Sequence, residues 1–275
     1  MADHWNQHAQ QWQWISSPLR PAPEDIAFAE RVVRGWHHKN QLPEPHALML
    51  GVTPEIALMG WPIGTQIVAI DHSQAMIDGV WPGDVPERVA RCAEWVQLPL
   101  PAASQYIVIG DGSFNAMLYP DQYRMAIGEM RRVLHDKGIF IIRFFLRPEI
   151  SEPVDIVVDD LMHGHIGNFH VFKWRLAMAL HGSLEEGVRL ADIWDAWRAV
   201  VPEPEALTAR LGWSREIMST IDNYRDVESR YTFPTIVEVR AAMSAAFIEV
   251  ESFFPRYELG DRCPTLVFLP RKDGA

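Results

Sequence analysis

Short apolar runs separated by polar, turn-forming segments dominate the middle of the chain. Ala47-Leu48-Met49-Leu50 ends at Gly51, and Ile67-Val68-Ala69-Ile70 ends at Asp71, 20 residues after that glycine. Thr53 is placed to cap a short helix that Pro54 opens between them. Residues 89–93 and 105–109 predict two further strands, the second ending in Gly110-Asp111-Gly112-Ser113. Ile139-Phe140-Ile141-Ile142-Arg143-Phe144-Phe145 is apolar on both faces, as a central strand covered by helices on both sides must be.

Helical spacing alternates with these runs. Pro23 starts a pattern with Ile26, Ala29, Val33 and Trp36 on one face, ended by Pro43-Glu44-Pro45. Ser73 caps a short helix through Met76 and Ile77. Asp121 starts another with Tyr123, Ile127, Met130 and Leu134 on one stripe. Asp136-Lys137-Gly138 is expected to close it, the glycine as a left-handed cap. Strand–helix alternation of this kind predicts an α/β fold with a doubly wound sheet.

The rhythm breaks over residues 151–232, where no convincing strand follows Val157-Val158 and helical patterns cover 169–180, 184–201 and 204–221. The sheet pattern then resumes. Thr235 and Glu238 form a capping-box signature, and strands are predicted over 247–254 and 264–269. Three regions follow: a tryptophan-bearing lead-in over 1–45 that folds back on the pocket, a core over 46–150 and 233–275, and a helical lid inserted at 151–232.

Composition narrows the partners. A net charge of −11 over 275 residues argues against nucleic acid, which demands basic patches. No apolar run approaches the ~18 residues that span a bilayer, and the first residues lack a basic start with an apolar core. Cys92 and Cys263 read as reduced and structural, which fits a cytoplasmic protein. A small-molecule substrate is therefore expected, with no nucleic acid and no membrane, for a monomer or homodimer.

Strand, glycine turn, helix, strand and acidic residue form the start of a nucleotide-binding unit: the turn admits a ligand close to the backbone, and the acid accepts ribose hydroxyls. The glycine-rich signature of nicotinamide enzymes is absent, as is Tyr-x-x-x-Lys. Four segments in order resemble the class I S-adenosylmethionine-dependent methyltransferases. These are residues 48–54 (first cofactor loop), 68–77 (second-strand motif), 93–100 (acidic residue four before Leu-Pro) and 131–138 (helix end before the fifth strand). The resemblance covers about residues 40–150 and 233–270. It implies a Rossmann-like methyltransferase sheet, S-adenosylmethionine as cofactor and methyl transfer as the activity.

Carried over residue by residue, the resemblance implies that Gly51 passes the cofactor over the first strand and Asp71 holds its ribose, with His72 beside it. Glu94 and Trp95 lie near adenine, and Gly110 and Asp111 face the methyl group. The first loop departs from the pattern: Met49 stands where the family has an acid, and Thr53 and Glu55 where it has glycines. Glu55 is a candidate acceptor for the cofactor ammonium, or a residue that favours the helix N-terminus. Arg20 is the candidate for the cofactor carboxylate, against the alternative of an exposed surface arginine.

Asp111 is placed to serve as a base or to orient substrate, or is the acid of an Asp-Gly turn. His163 and His165 are candidate lid bases, with solvated loop histidines as the alternative. Asp159, Asp160, His163, His165 and His170 match no compact metal motif, and no metal is expected. Tyr224 and Tyr231 are candidates to line the substrate cavity or to pack in the core. The altered loop leaves open another reaction of the same cofactor, such as cyclisation or elimination, and a non-catalytic binding protein.

Overall fold

A computed structural model describes residues 4–272. Its centre is a sheet of seven strands: β1 (His46–Leu50), β2 (Gln66–Asp71), β3 (Arg88–Cys92), β4 (Gln105–Asp111), β5 (Leu134–Arg143), β8 (Phe247–Phe253) and β9 (Thr265–Pro270). The order across it is β3-β2-β1-β4-β5-β9-β8, parallel through β5, with β9 antiparallel to both of its neighbours. Strands β6 (Val188–Arg189) and β7 (Arg230–Tyr231) form a separate two-stranded ribbon.

The period-2 geometry of strands explains the two cores. Leu48, Leu50, Val108, Phe140 and Ile142 face one side, packing under α5 (Asp121–Val133) and α11 (Ile236–Met243). Ala47, Met49, Ile107, Ile109 and Ile141 face the other. There α2 (Pro23–Asn40), α3 (Pro54–Ala57) and α4 (Gln74–Val80) cover them, and α1 (His4–Gln10) packs on α4. Gly79 makes the last contact possible, since a Cβ there would lie 3.1 Å from that of Ala9.

Residues 151–232 carry their own aromatic core around Phe169, Phe172, Trp197 and Trp213. Its helices are α6 (Val154–His163), α7 (Phe169–Ala179), α8 (Leu190–Val200), α9 (Pro204–Leu211) and α10 (Arg215–Ser219). Val157 and Val158 are helical, residues 184–189 form a turn and the β6 strand, and the 204–221 pattern splits at Gly212, which has φ +71°.

One cap is corrected. Helix α5 stops at Val133, and β5 already runs through Asp136-Lys137-Gly138. Gly138 is not left-handed; a Cβ on it would lie 2.8 Å from the Tyr106 carbonyl oxygen and 2.9 Å from that of His135. Close backbone approach at a register shift in the β4–β5 pairing, rather than a helix end, requires this glycine. No helix among the described residues is long and apolar enough to cross a membrane.

Candidate functional site

The chain runs from β1 outward to β2 and β3, then returns to place β4 on the opposite side of β1. Ligands of open α/β sheets bind outside the carboxyl ends of strands at such a reversal. A cavity lies there, with an empty volume of about 800 Å³ counting its open mouth.

The sheet side of the cavity comes from strand ends. Gly51 follows β1 with φ +101°, and an added Cβ would point at Asp71 Oδ2 from 3.8 Å. Asp71 ends β2, is 6% exposed, and accepts a 2.9 Å hydrogen bond from the Ser73 amide at Oδ1. His72 stands edge-on between Trp5 and Trp95, with ring centroids 5.6 and 5.9 Å away. Trp95 is pinned by its indole N–H, which donates to the Ile70 carbonyl at 2.7 Å. Gly112, with φ +63°, brings the β4 turn against Phe145, whose ring would be 2.5 Å from a Cβ there.

Asp111 lines the cavity but is committed on one oxygen. Arg143 Nε donates to its Oδ1 at 2.6 Å, and both side chains are almost fully buried. Arg143 also donates to the Pro18 carbonyl and the Tyr257 hydroxyl, and lies 3.8 Å from Asp25. Burial works against the guanidinium charge, but Asp111, Tyr257 and Asp25 together hold its pKa above the ordinary arginine value. Asp25 in turn is pushed up by burial, against the pull of Arg143. The pairing with Arg143 fixes the Asp111 side chain in the cavity wall by that oxygen.

Asn115 joins the core to the helical segment. Its amide donates to the carbonyls of Phe145 and Thr232 at 2.7 and 2.8 Å, and its oxygen accepts from the Phe145 amide at 3.0 Å. The lead-in closes the mouth with Trp5, His8, Trp12 and Leu19. Trp174 and Tyr231 supply the wall from the helical segment, and Tyr224 lies behind Tyr231, fully buried. Burial pushes the Tyr231 hydroxyl up to about 12, so it stays protonated.

The structure brings Gly51, Thr53, Asp71, His72, Trp95 and Asp111 to one cavity. Gly110 lies just beneath it, and a Cβ there would be 2.8 Å from both Ile142 Cδ1 and Ser113 Oγ. Arg20 and Glu55 are not brought to the cavity: they pair with each other, Arg20 Nε donating to Glu55 Oε1 at 2.7 Å. Arg20 also lies over Trp12, 4.9 Å from the ring centroid. Glu94 is exposed and outside the lining. His163 and His165 stack on each other at 5.7 Å on the surface at the end of α6, beside Asp159 and Asp160. Among the described residues no group of three or more His, Cys, Asp or Glu side chains is placed to hold a metal.

Sequence reasoning missed His8, Asn115, Arg143, Phe145 and Trp174. Arg143 had a readable signal, a lone charge inside an apolar strand. Trp174 and His8 had none, since only tertiary folding carries them to the mouth.

The solved structures that resemble this fold decide its class. The methyltransferase CcbJ from Streptomyces caelestis matches with a TM-score of 0.55 at 13% identity, over 98% of each chain. The N-methyltransferase NodS from Bradyrhizobium japonicum, solved with S-adenosyl-L-homocysteine, matches with a TM-score of 0.50 at 11% identity, over 98% of this chain and all of its own. The fold is that of the class I S-adenosylmethionine-dependent methyltransferases. A Rhodobacter sphaeroides structure provisionally described as a zinc-dependent alcohol dehydrogenase matches as well, with a TM-score of 0.55 at 14% identity, over 99% of this chain and all of its own. No protein-family model matches the sequence, and no curated protein matches it. The methyltransferase fold and the cavity therefore carry the functional argument without help from sequence relatives.

Proposed function

We propose that this cavity binds S-adenosylmethionine and that the protein transfers its methyl group to a small-molecule acceptor. The observation that carries the reading is Asp71, a buried carboxylate at the end of β2, facing a left-handed Gly51 across the switch point. A carboxylate there accepts both hydroxyls of a ribose, and the missing Cβ at position 51 leaves room for the rest of the nucleoside.

When bound, the cofactor would supply an electrophilic methyl on a sulfonium sulfur, whose transfer to an acceptor would leave a neutral thioether. The residues present suit such a group. Asp71 and Asp111 are carboxylates of the cavity lining, and they favour a cationic ligand. His72 and Trp95 wall the position after β2, where a flat base fits. Arg20 is held by Glu55, so the Trp12 indole N–H, buried and without a partner, is the better donor for the cofactor carboxylate. The main demand of an in-line displacement is alignment, and Asn115 serves it by fixing the β4 turn against the helical segment.

The test is thermal stabilisation by S-adenosylhomocysteine, S-adenosylmethionine and NAD in parallel. A ligand at a hundred times its Kd should add about 2.7 kcal/mol. Stabilisation by the two sulfur ligands and not by NAD is expected, falling by about ten-fold or more in affinity for Asp71→Ala. No shift with either sulfur ligand sinks the reading.

A further inference from the structure

The helical side of the cavity is electrically unlike the sheet side. Asp71 and Asp111, its only carboxylates among the described residues, both lie on strand ends. Across from them Trp174 on α7 is 5% exposed, and its indole nitrogen is buried without a hydrogen-bond partner. Indole nitrogen can only donate, so an acceptor oxygen brought against it would satisfy it. His8 also lines the cavity at 7% exposure, and its Nδ1 is likewise without a partner. Burial, with Lys173 nearby, drives His8 down to about 3, so the ring is neutral.

Lys173 stands directly behind this wall. It is fully buried on α7, its Nζ donates to Thr220 Oγ1 at 3.2 Å, and it lies 5.2 Å from the Tyr224 ring centroid. Among the described residues no carboxylate is paired with it. Burial alone brings it down to about 7. A buried lysine without a counter-ion is costly, and an anion placed at His8 and Trp174 would offset that cost. The wall itself is aromatic: Trp174 stands edge-on to Phe145 at 5.4 Å and to Tyr231 at 5.5 Å.

Resting on the methyl-transfer reading, we propose that the helical side of the cavity holds an aromatic acceptor with an anionic oxygen, which takes the Trp174 indole hydrogen bond and faces the Lys173 charge. The aromatic wall of Phe145, Trp174 and Tyr231 suits the ring, and Asp71 and Asp111 repel the anion from their own side of the cavity. A cationic amine would leave the Trp174 N–H unpaired and would be repelled by Lys173.

The experiment measures calorimetric Kd values for protein saturated with S-adenosylhomocysteine. The probes are 4-hydroxybenzoate, its methyl ester and tyramine, which share a phenol ring and differ in charge. Binding of 4-hydroxybenzoate at least ten-fold tighter than the ester, with tyramine weakest, is expected. Trp174→Phe should erase most of that preference while S-adenosylhomocysteine affinity is unchanged, and Lys173→Met should do the same from behind the wall. Equal binding of the three, preference for tyramine, or binding of none overturns the proposal. Failure of S-adenosylhomocysteine itself to bind would instead overturn the methyl-transfer reading on which it rests.

Discussion

Asn115 is the residue on which the two halves of the site depend most. Each of its three side-chain hydrogen bonds reaches a backbone group of a buried residue: Phe145 after the β5 strand and Thr232 beside the ribbon. Removing it strands two carbonyls and one amide in the interior. Stranded groups each cost ~1–3 kcal/mol, and part of that is recovered by local relaxation. Asn115→Ala should therefore lower stability by about 2–4 kcal/mol in urea unfolding, with Asn115→Asp no better, because a carboxylate cannot donate. Arg143 is the contrasting case. It holds Asp111 and the lead-in carbonyl of Pro18 together, and Arg143→Met would leave Asp111 an uncompensated buried charge. Breaking a buried pair this way costs ~3–5 kcal/mol, so loss of more than 2 kcal/mol is expected, and a neutral result would mean that the pair contributes no net stability.

At the scale of elements, α1 is the piece whose role the amino-acid pattern conceals. It has seven residues, too few for a helix to hold in water without packing. It exists because Ala9 sits against Gly79 of α4, and it places Trp5 and His8 over the mouth. Gly79→Val would force α1 away while leaving the sheet intact. Faster amide exchange over residues 4–14 is expected, together with faster release of S-adenosylhomocysteine and little change in the global unfolding midpoint. Equal exchange rates in the variant would show that α1 does not depend on this contact. The sheet elements, by contrast, were legible from the start. Runs apolar on both faces fix strands, and Thr235 with Glu238 fixes a cap, because both are local physics. The end of α5 was misread because Gly138 answers to Tyr106, a neighbour on another strand. Asp71 and Gly51 were readable because strand ends and turns demand particular residues. Arg20 was read for the cofactor carboxylate and Glu55 for its ammonium or the helix N-terminus, because nothing in their spacing reveals that they satisfy one another.

For the whole molecule, the buried bases set how stability varies with pH. His8 and His170 sit at about 3 and His181 at about 4, each lowered first by burial. All three have an unfolded value near 6.5. Between those values the unfolded chain binds protons that the folded chain refuses, so stability rises with pH through that window. Lys173 repeats the pattern higher up: about 7 when folded against roughly 10.4 unfolded. Each such group changes stability by up to ~1.4 kcal/mol per pH unit within its window, an upper bound because water penetration and relaxation reduce it. The melting temperature should therefore climb from pH 4 to 6.5, then climb again more gently from pH 7 to 9 before the tyrosines ionise. Lys173→Met separates the two climbs. It should be at least as stable as the parent at pH 7, since a well-packed apolar side chain carries no desolvation cost, and it should lose the rise between pH 7 and 9 while keeping the one below pH 6.5. Melting curves across pH 4–9 for both proteins read this directly. A parent whose stability falls from pH 7 to 9 would mean that Lys173 is not buried without a counter-ion, and with it would go the electrostatic argument for an anionic acceptor.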